Sequence, residues 1–186
     1  MRPLAAIAVG RLVEKKGFDT LVRAWPAVVR TIPGATLRIV GNGPCAMSLQ
    51  RLAHEVCGND VSISFTGALP EMETLHAIAA ADMLVLPSRR LPDGDRDGIA
   101  NVILEAMAIG VPVITTEAGA AGEVVENGVT GLLLPHPATP ETLSAAIARL
   151  ACDAKLRATL ADNARAIVRD EFSSEAYLSA IDALID

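Results

Sequence analysis

The 186-residue chain is long enough for one well-buried domain and too short for two of ordinary size. Sixteen lysines and arginines face 22 acids, and the net charge of -6 excludes a general nucleic-acid surface, since duplex binding needs a basic face to replace counterions. Hydrophobic residues make up 51% and aromatics only 3%, so alanine, valine, leucine and isoleucine must fill an interior of helices packed on a β-branched sheet.

The apolar run Leu4 to Val9 predicts a first strand, followed by a charged loop through Arg11, Lys15, Lys16 and Gly17 and a helix from Phe18 to Ile32. Pro26 lacks an amide donor and should kink that helix or mark an irregular turn, and Pro33-Gly34 should end it. Ala35 to Val40 predicts a second strand, Gly41-Asn42-Gly43 a turn, and Pro44 the first residue of a helix reaching Cys57. A third strand is expected over Val61 to Thr66, then a helix from Glu71 to Ala81. The run Asp82 to Leu86 is almost wholly apolar, as in a strand buried on both faces.

The segment Arg89-Arg90-Leu91-Pro92-Asp93-Gly94-Asp95-Arg96 is too polar and too rich in turn formers to pack, and it delivers the chain to Asp97-Gly98-Ile99-Ala100 and a helix that carries Glu105. Asp97 is the candidate N-cap, with Gly98 leaving the first helical amides open to a ligand. On that reading, eight helical steps set Asp97 and Glu105 about 12 Å apart, bracketing an elongated ligand. Strands at Val111 to Thr115 and Gly131 to Leu134 follow. Thr139-Pro140 starts a helix, Asp153 starts another, and an amphipathic piece runs from Ser173 or Ser174 to Asp186.

Strands alternating with helices over short connections imply a doubly wound parallel sheet of six strands, covered on both faces. Ligands of such sheets bind outside the carboxyl ends of the strands, where Gly10-Arg11, Gly41-Asn42-Gly43, Thr66-Gly67 and Ser88 fall. A local basic pocket is therefore expected from Arg11, Lys15 and Lys16 with Arg89, Arg90 and Arg96. Cys45, Cys57 and Cys152 are odd in number and lack paired metal spacing, which suits small buried thiols in a reducing compartment. His54, His76 and His136 are scattered. Asp93, Asp95 and Asp97 alternate as in a calcium loop, but Leu104 stands where such a loop needs a bidentate glutamate. The start of the chain has too short an apolar run for a signal peptide, and no stretch reaches the roughly 18 apolar residues of a spanning helix, so the expected location is the cytoplasm.

Taken together, six segments are similar to the donor-binding, carboxyl-terminal domain of retaining family 4 glycosyltransferases: Val9-Gly10-Arg11 with Lys16-Gly17-Phe18, Ile39-Val40-Gly41-Asn42-Gly43-Pro44, Phe65-Thr66-Gly67, Ala81-Asp82 with Leu86-Pro87-Ser88, Leu104-Glu105-Ala106-Met107-Ala108 with Gly110-Val111-Pro112-Val113, and Gly128-Val129-Thr130-Gly131-Leu132-Leu133. They occur in the family's order. The resemblance implies one Rossmann-like half of the two-domain GT-B fold, with residues 1–172 as the nucleotide-sugar domain and 173–186 as a helix packing toward an amino-terminal domain. It implies that Arg11 and Lys16 hold the diphosphate, that Gly67 and Ala68 meet the base, that Glu105 takes the ribose hydroxyls and Asp97 the sugar hydroxyls, and that the amides of Gly98 and Ile99 lie beside sugar and phosphate. Gly10, Asn42 and Gly43 complete the donor-binding set at the strand ends. The nucleotide sugar would be a substrate, with no cofactor and no obligatory metal. The acceptor, a saccharide or lipid-linked saccharide, would sit on the amino-terminal domain, which could also attach the protein peripherally to the inner membrane.

Two positions depart from the family pattern. Asp97 stands where the first of two glutamates separated by seven residues is usual, and Ala120-Ala121 replace a segment that is commonly Gly-Ile-Pro. Two other readings stand beside this one. Gly41-Asn42-Gly43-Pro44-Cys45-Ala46 fits the loose dinucleotide pattern G-x-G-x-x-A of an oxidoreductase module, although the next strand ends in Thr66-Gly67 without the acid that would hold a ribose. The third reading is a non-catalytic interaction domain of the same fold.

Overall fold

The computed structural model describes residues 3–58 and 62–172. Six strands, β1 (Ala5–Val9), β2 (Thr36–Val40), β3 (Ile63–Gly67), β4 (Met83–Leu86), β5 (Val113–Thr116) and β6 (Leu132–Leu134), form one sheet in the order β3-β2-β1-β4-β5-β6. Every pairing is parallel. This is the doubly wound arrangement expected from the alternation of elements, and the strand order reverses between β1 and β4.

The helices are α1 (Phe18–Thr31), α2 (Ala46–Cys57), α3 (Glu71–Ala79), α4 (Asn101–Ile109), α5 (Pro140–Cys152) and α6 (Ala154–Glu171). α1 packs against α2 and α5, while α4 packs against α3 and α6, so the two groups cover opposite faces. α1 shows why its sequence folds this way: Phe18, Leu21, Val22, Trp25 and Val28 recur at helical spacing and are all buried. Pro26 lies within this helix and does not end it. Thr139 caps α5 in a reciprocal box with Thr142, and the Asp153 side chain caps α6 by accepting from the Leu156 amide at 2.8 Å.

The central strands carry the core. All four residues of β4 and all four of β5 are buried. Thr115 and Thr116 are the polar members of β5, and each hydroxyl finds an acceptor on the neighbouring strand's end: Thr115 donates to the Leu86 carbonyl at 2.9 Å and Thr116 to the Ser88 carbonyl. They lock the carboxyl ends of β4 and β5 together, directly beneath the loop that follows β4.

Two helix starts differ from the sequence reading. α2 begins at Ala46, with Cys45 as its cap, because Gly43-Pro44 is taken up in a turn stitched to the loop after β1. α4 begins at Asn101, four residues beyond Asp97, and its cap residue Ala100 offers no side-chain acceptor. Asp97 is therefore not an N-cap. The segment between them is non-helical, so the helical estimate of the Asp97 to Glu105 span does not apply. The piece from Ser173 or Ser174 onward lies outside the described residues.

Candidate functional site

The crevice between the carboxyl ends of β1 and β4 is where a doubly wound sheet presents its ligand. One wall is the loop after β1. Its backbone is stitched to the loop after β2 by Gly10 N–H to the Val40 carbonyl at 3.0 Å, Leu12 N–H to the Asn42 carbonyl at 2.9 Å and Cys45 N–H to the Leu12 carbonyl at 2.9 Å. A short 3₁₀ turn, Glu14–Lys16, then closes on Gly17 in the left-handed conformation and presents two adjacent lysines.

The other wall is the loop after β4, and four contacts join the two. Lys16 Nζ lies 2.9 Å from Asp97 Oδ2, Lys15 Nζ lies 2.9 Å from Asp95 Oδ1 and 3.8 Å from Asp97 Oδ1, and the Arg89 amide donates to the Lys15 carbonyl at 2.7 Å. Ser88 Oγ donates to Asp97 Oδ2 at 3.0 Å. Lys16 and Asp97 are both largely covered, at 13% and 14% side-chain exposure, whereas Asp95 is half exposed at 50%. The pair Lys16–Asp97 is thus a sheltered fixture of the crevice, and Asp95 a peripheral addition. The hydrogen bond that Lys15 donates to Asp95 is the main influence holding its ammonium above its ordinary range, and Arg11 is close enough to oppose it by repulsion.

Of the six cations expected to form a basic pocket, the structure brings Arg11, Lys15 and Lys16 together. Arg89 does not join them: its side chain turns to Asp19 on α1. Arg90 and Arg96 stay exposed on the loop, where the Arg90 amide donates to His136 Nε2 at 3.0 Å and ties the loop to the end of β6. Lys15 and Ser88, to which the family resemblance gave no role of their own, each make a contact to the acids of the facing loop. The signals were a second lysine in the same turn and a small hydroxyl at the mouth of a wholly apolar strand.

Beyond Asp97, the Gly98 and Ile99 amides donate to no acceptor among the described residues. They lead into the first turn of α4, whose end is also without a side-chain cap. A cluster of unsatisfied amides beside two lysines has the character of an anion site. Glu105, one turn into α4, is half-buried among apolar neighbours. Burial pushes its carboxyl above the usual range, with repulsion from Glu71 at the start of α3 adding to the shift. Because the folded state disfavours the charged form, Glu105 reduces stability as pH rises above its ordinary value near 4.5. Glu105→Gln is therefore expected to raise the melting temperature of the free protein at pH 7 and leave it unchanged at pH 3.5 or below. Paired thermal melts check this.

The glycines after β2 are engaged with protein. A Cβ at Gly41, where φ is +137°, would overlap the Gly10 carbonyl, and one at Gly43 would overlap the Leu12 carbonyl. Asn42 Oδ1 accepts from the Gly43 amide at 2.8 Å. The G-x-G spacing is explained by two loops packed backbone to backbone, which removes the reason for reading it as a dinucleotide fingerprint. By contrast Gly67, Ala68 and Gly98 face open space: Ala68 is exposed, and a Cβ at Gly67 or Gly98 would meet nothing within 4 Å.

Among the described residues no group of three or more His, Cys, Asp or Glu side chains could hold a metal ion, and no helix is long and apolar enough to cross a membrane.

Comparison with known proteins places this geometry in a family. The model for glycosyl transferases group 1 matches residues 4–153. The chain is 44% identical over 131 residues to a GDP-mannose-dependent alpha-(1-6)-phosphatidylinositol monomannoside mannosyltransferase of Mycobacterium tuberculosis, a match covering 69% of this chain and 33% of that enzyme. Among solved structures it resembles Anabaena HepE in complex with UDP, at a TM-score of 0.84 and 27% identity over 99% of this chain and 49% of that one. It also matches the C-terminal domain of the group 1 glycosyltransferase LpcC from Francisella tularensis, at a TM-score of 0.78 and 25% identity, covering 92% of this chain and 88% of that domain. The chain therefore spans about a third of the mannosyltransferase and half of HepE, but nearly all of an isolated C-terminal domain. With a doubly wound sheet, a lysine-lined crevice at its switch point and a family model matching most of its length, this chain belongs to the group 1 glycosyltransferases and has the Rossmann-like fold of one half of a GT-B enzyme.

Proposed function

We propose that this chain binds the nucleotide-sugar donor of a retaining glycosyltransferase, which transfers a hexosyl group to an acceptor glycan or lipid-linked saccharide held by a domain outside this sequence. The observation that carries the reading is the meeting of Lys15, Lys16 and the uncapped approach to α4 at the switch point, with a half-buried acid one turn further on. A diphosphate supplies the charge those cations and amides can take up. A ribose supplies hydroxyl donors for Glu105, whose burial otherwise leaves a carboxylate poorly solvated.

In this reading Arg11 and Lys16 bind the diphosphate and Gly98 and Ile99 donate their amides to sugar and phosphate. Gly67 and Ala68 border the base, Asp97 accepts from the sugar hydroxyls, and Gly10, Asn42 and Gly43 shape the floor of the crevice. Catalysis is electrostatic: the bond from the anomeric carbon to the diphosphate breaks as cations and amides stabilise the departing charge, and the acceptor hydroxyl attacks from the same face, its proton passing to an oxygen of the departing diphosphate. No side chain acts as a covalent nucleophile, and the reading requires no metal. Chelation by EDTA should leave nucleotide binding unchanged.

The base is proposed as guanine, because the 44%-identical relative is named for GDP-mannose whereas the UDP-bearing HepE is 27% identical. The chain by itself is expected to bind GDP more tightly than UDP or ADP, and to transfer no sugar. Calorimetric titration with the three nucleotides tests this, and absence of binding to all three at millimolar concentration overturns it. Glu105→Ala should weaken GDP binding by about tenfold, the loss of a charge-assisted hydrogen bond. The change His76→Ala, at an exposed position on α3, should not. Equal effects would remove Glu105 from the ribose.

A further inference from the structure

Asp95 and Asp97 reach the same pair of lysines but are held very differently. Asp97 is 14% exposed and is fixed by Lys16, by the Ser88 hydroxyl and, through its carbonyl, by the Ala120 amide at 3.4 Å. Asp95 is 50% exposed and belongs to a small self-contained turn: the Gly94 amide donates to the Leu91 carbonyl at 2.9 Å, the Leu91 amide to the Asp95 carbonyl at 2.9 Å, and the Asp95 amide to Asp93 Oδ1 at 2.9 Å. Among the described residues, the one side-chain link between that turn and the crevice wall is the hydrogen bond that Lys15 Nζ donates to Asp95 Oδ1 at 2.9 Å. The stem of the loop is anchored separately, through Arg90 to His136 and Arg89 to Lys15. Releasing the Asp95 carboxylate therefore leaves both the turn and the stem intact.

Charge at the crevice is also balanced. Arg11, Lys15 and Lys16 supply three positive charges, and Asp95 and Asp97 across the crevice, with Glu14 in the lysines' own turn, supply three negative ones. A carboxylate oxygen at 2.9 Å from an ammonium occupies the position that a phosphate oxygen takes in the same contact.

We propose that Asp95 is a built-in competitor for the donor: its carboxylate holds Lys15 in the place of a diphosphate oxygen and is displaced when the diphosphate binds. The inference rests on the donor-binding reading above and adds Lys15 to the residues that contact the diphosphate. An exposed ion pair is weak, so a diphosphate with two or more charges displaces it. In the empty site the contact spares two lysines from facing each other uncompensated.

The test is calorimetry on the full chain with GDP, inorganic pyrophosphate and guanosine. Asp95→Asn is expected to bind GDP and pyrophosphate about two- to fivefold more tightly, the worth of one exposed ion pair, with no gain for guanosine. Asp162→Asn on α6 makes the same change in net charge far from the crevice and should gain nothing. In a Lys15→Gln background Asp95→Asn should also gain nothing, since its effect acts through that lysine. Unchanged or weaker GDP binding by Asp95→Asn, or an equal gain from Asp162→Asn, overturns the proposal. If Lys16→Ala still weakens GDP binding in that case, the donor-binding reading survives. If neither GDP nor pyrophosphate binds the wild-type chain or Asp95→Asn at millimolar concentration, the donor-binding reading falls and takes this inference with it.

Discussion

Lys16→Ala is expected to weaken GDP binding by about ten- to a hundredfold, the range for losing a hydrogen bond to a charged group at a sheltered site. The lysine is only 13% exposed, and its position is set by a tight turn whose own amide donates to the Val13 carbonyl at 3.1 Å. Its charge is therefore delivered in a fixed place and is weakly screened by solvent. Removal has a second effect in the same direction. Asp97 keeps the Ser88 hydroxyl and the more distant Lys15 but loses its closest cation, so an anion entering the crevice meets a less neutralised carboxylate. Lys16→Arg should recover only part of the loss, because a planar guanidinium does not reproduce the reach of a compact ammonium. Calorimetry on the three proteins checks this, with thermal melts to confirm folding. Binding within about twofold of wild type for Lys16→Ala would remove the lysine from the diphosphate, because a loss that small is less than one charged contact is worth.

Gly41→Ala is expected to cost stability on the order of 3 kcal/mol, since it combines a backbone overlap with a strained conformation. Gly41 sits at φ +137°, and its new Cβ would overlap the Gly10 carbonyl, a backbone atom that cannot swing aside as a side chain could. Gly10 is itself tied to the Val40 carbonyl and Gly41 to the Gly67 carbonyl, so relief of the clash must spread the ends of β1, β2 and β3. At about 2–4 °C per kcal/mol for a domain of this size, the melting temperature should fall by roughly 10 °C. Gly122→Ala is the matched control, because its added methyl would meet only the flexible Leu133 side chain at 3.5 Å, and it should shift stability by no more than about 0.5 kcal/mol. Equal melting temperatures for the two variants would show that the loops after β1 and β2 are not packed as described. The same packing predicts that Gly41→Ala also weakens GDP binding, since it displaces the loop that carries Arg11 and Lys16.

Much of this architecture was legible in the chain because the signals were local. The apolar run at Met83 to Leu86 reads as a buried strand without reference to anything else, and all four residues are buried. Phe18 to Val28 repeats at helical spacing, and the start signals at Thr139 and Asp153 mark caps that form. The start of α4 differs from the sequence reading for a physical reason: an Asp-Gly pair ahead of an apolar run has the local chemistry of a cap, but Asp97 is drawn away by Lys16, distant in sequence, and by Ser88 at the start of the same loop. The start of α2 was misplaced similarly, because Gly43 is held against Leu12. α1 continues through Pro26 on the strength of a buried face that includes Phe18, Trp25 and Val28.

The sequence by itself determined the alternation of elements, the parallel sheet and the set of strand-end residues gathered at one edge, because hydrophobic periodicity and turn chemistry act within a few residues. Only the tertiary structure decided which charges meet across that edge. It took Arg89 out of the basic cluster to Asp19, set Lys15 against Asp95 and Lys16 against Asp97, and spent the glycines after β2 on packing. An ion pair between residues 80 positions apart leaves no trace in local pattern; it exists because the strand order reverses between β1 and β4 and brings their following loops face to face.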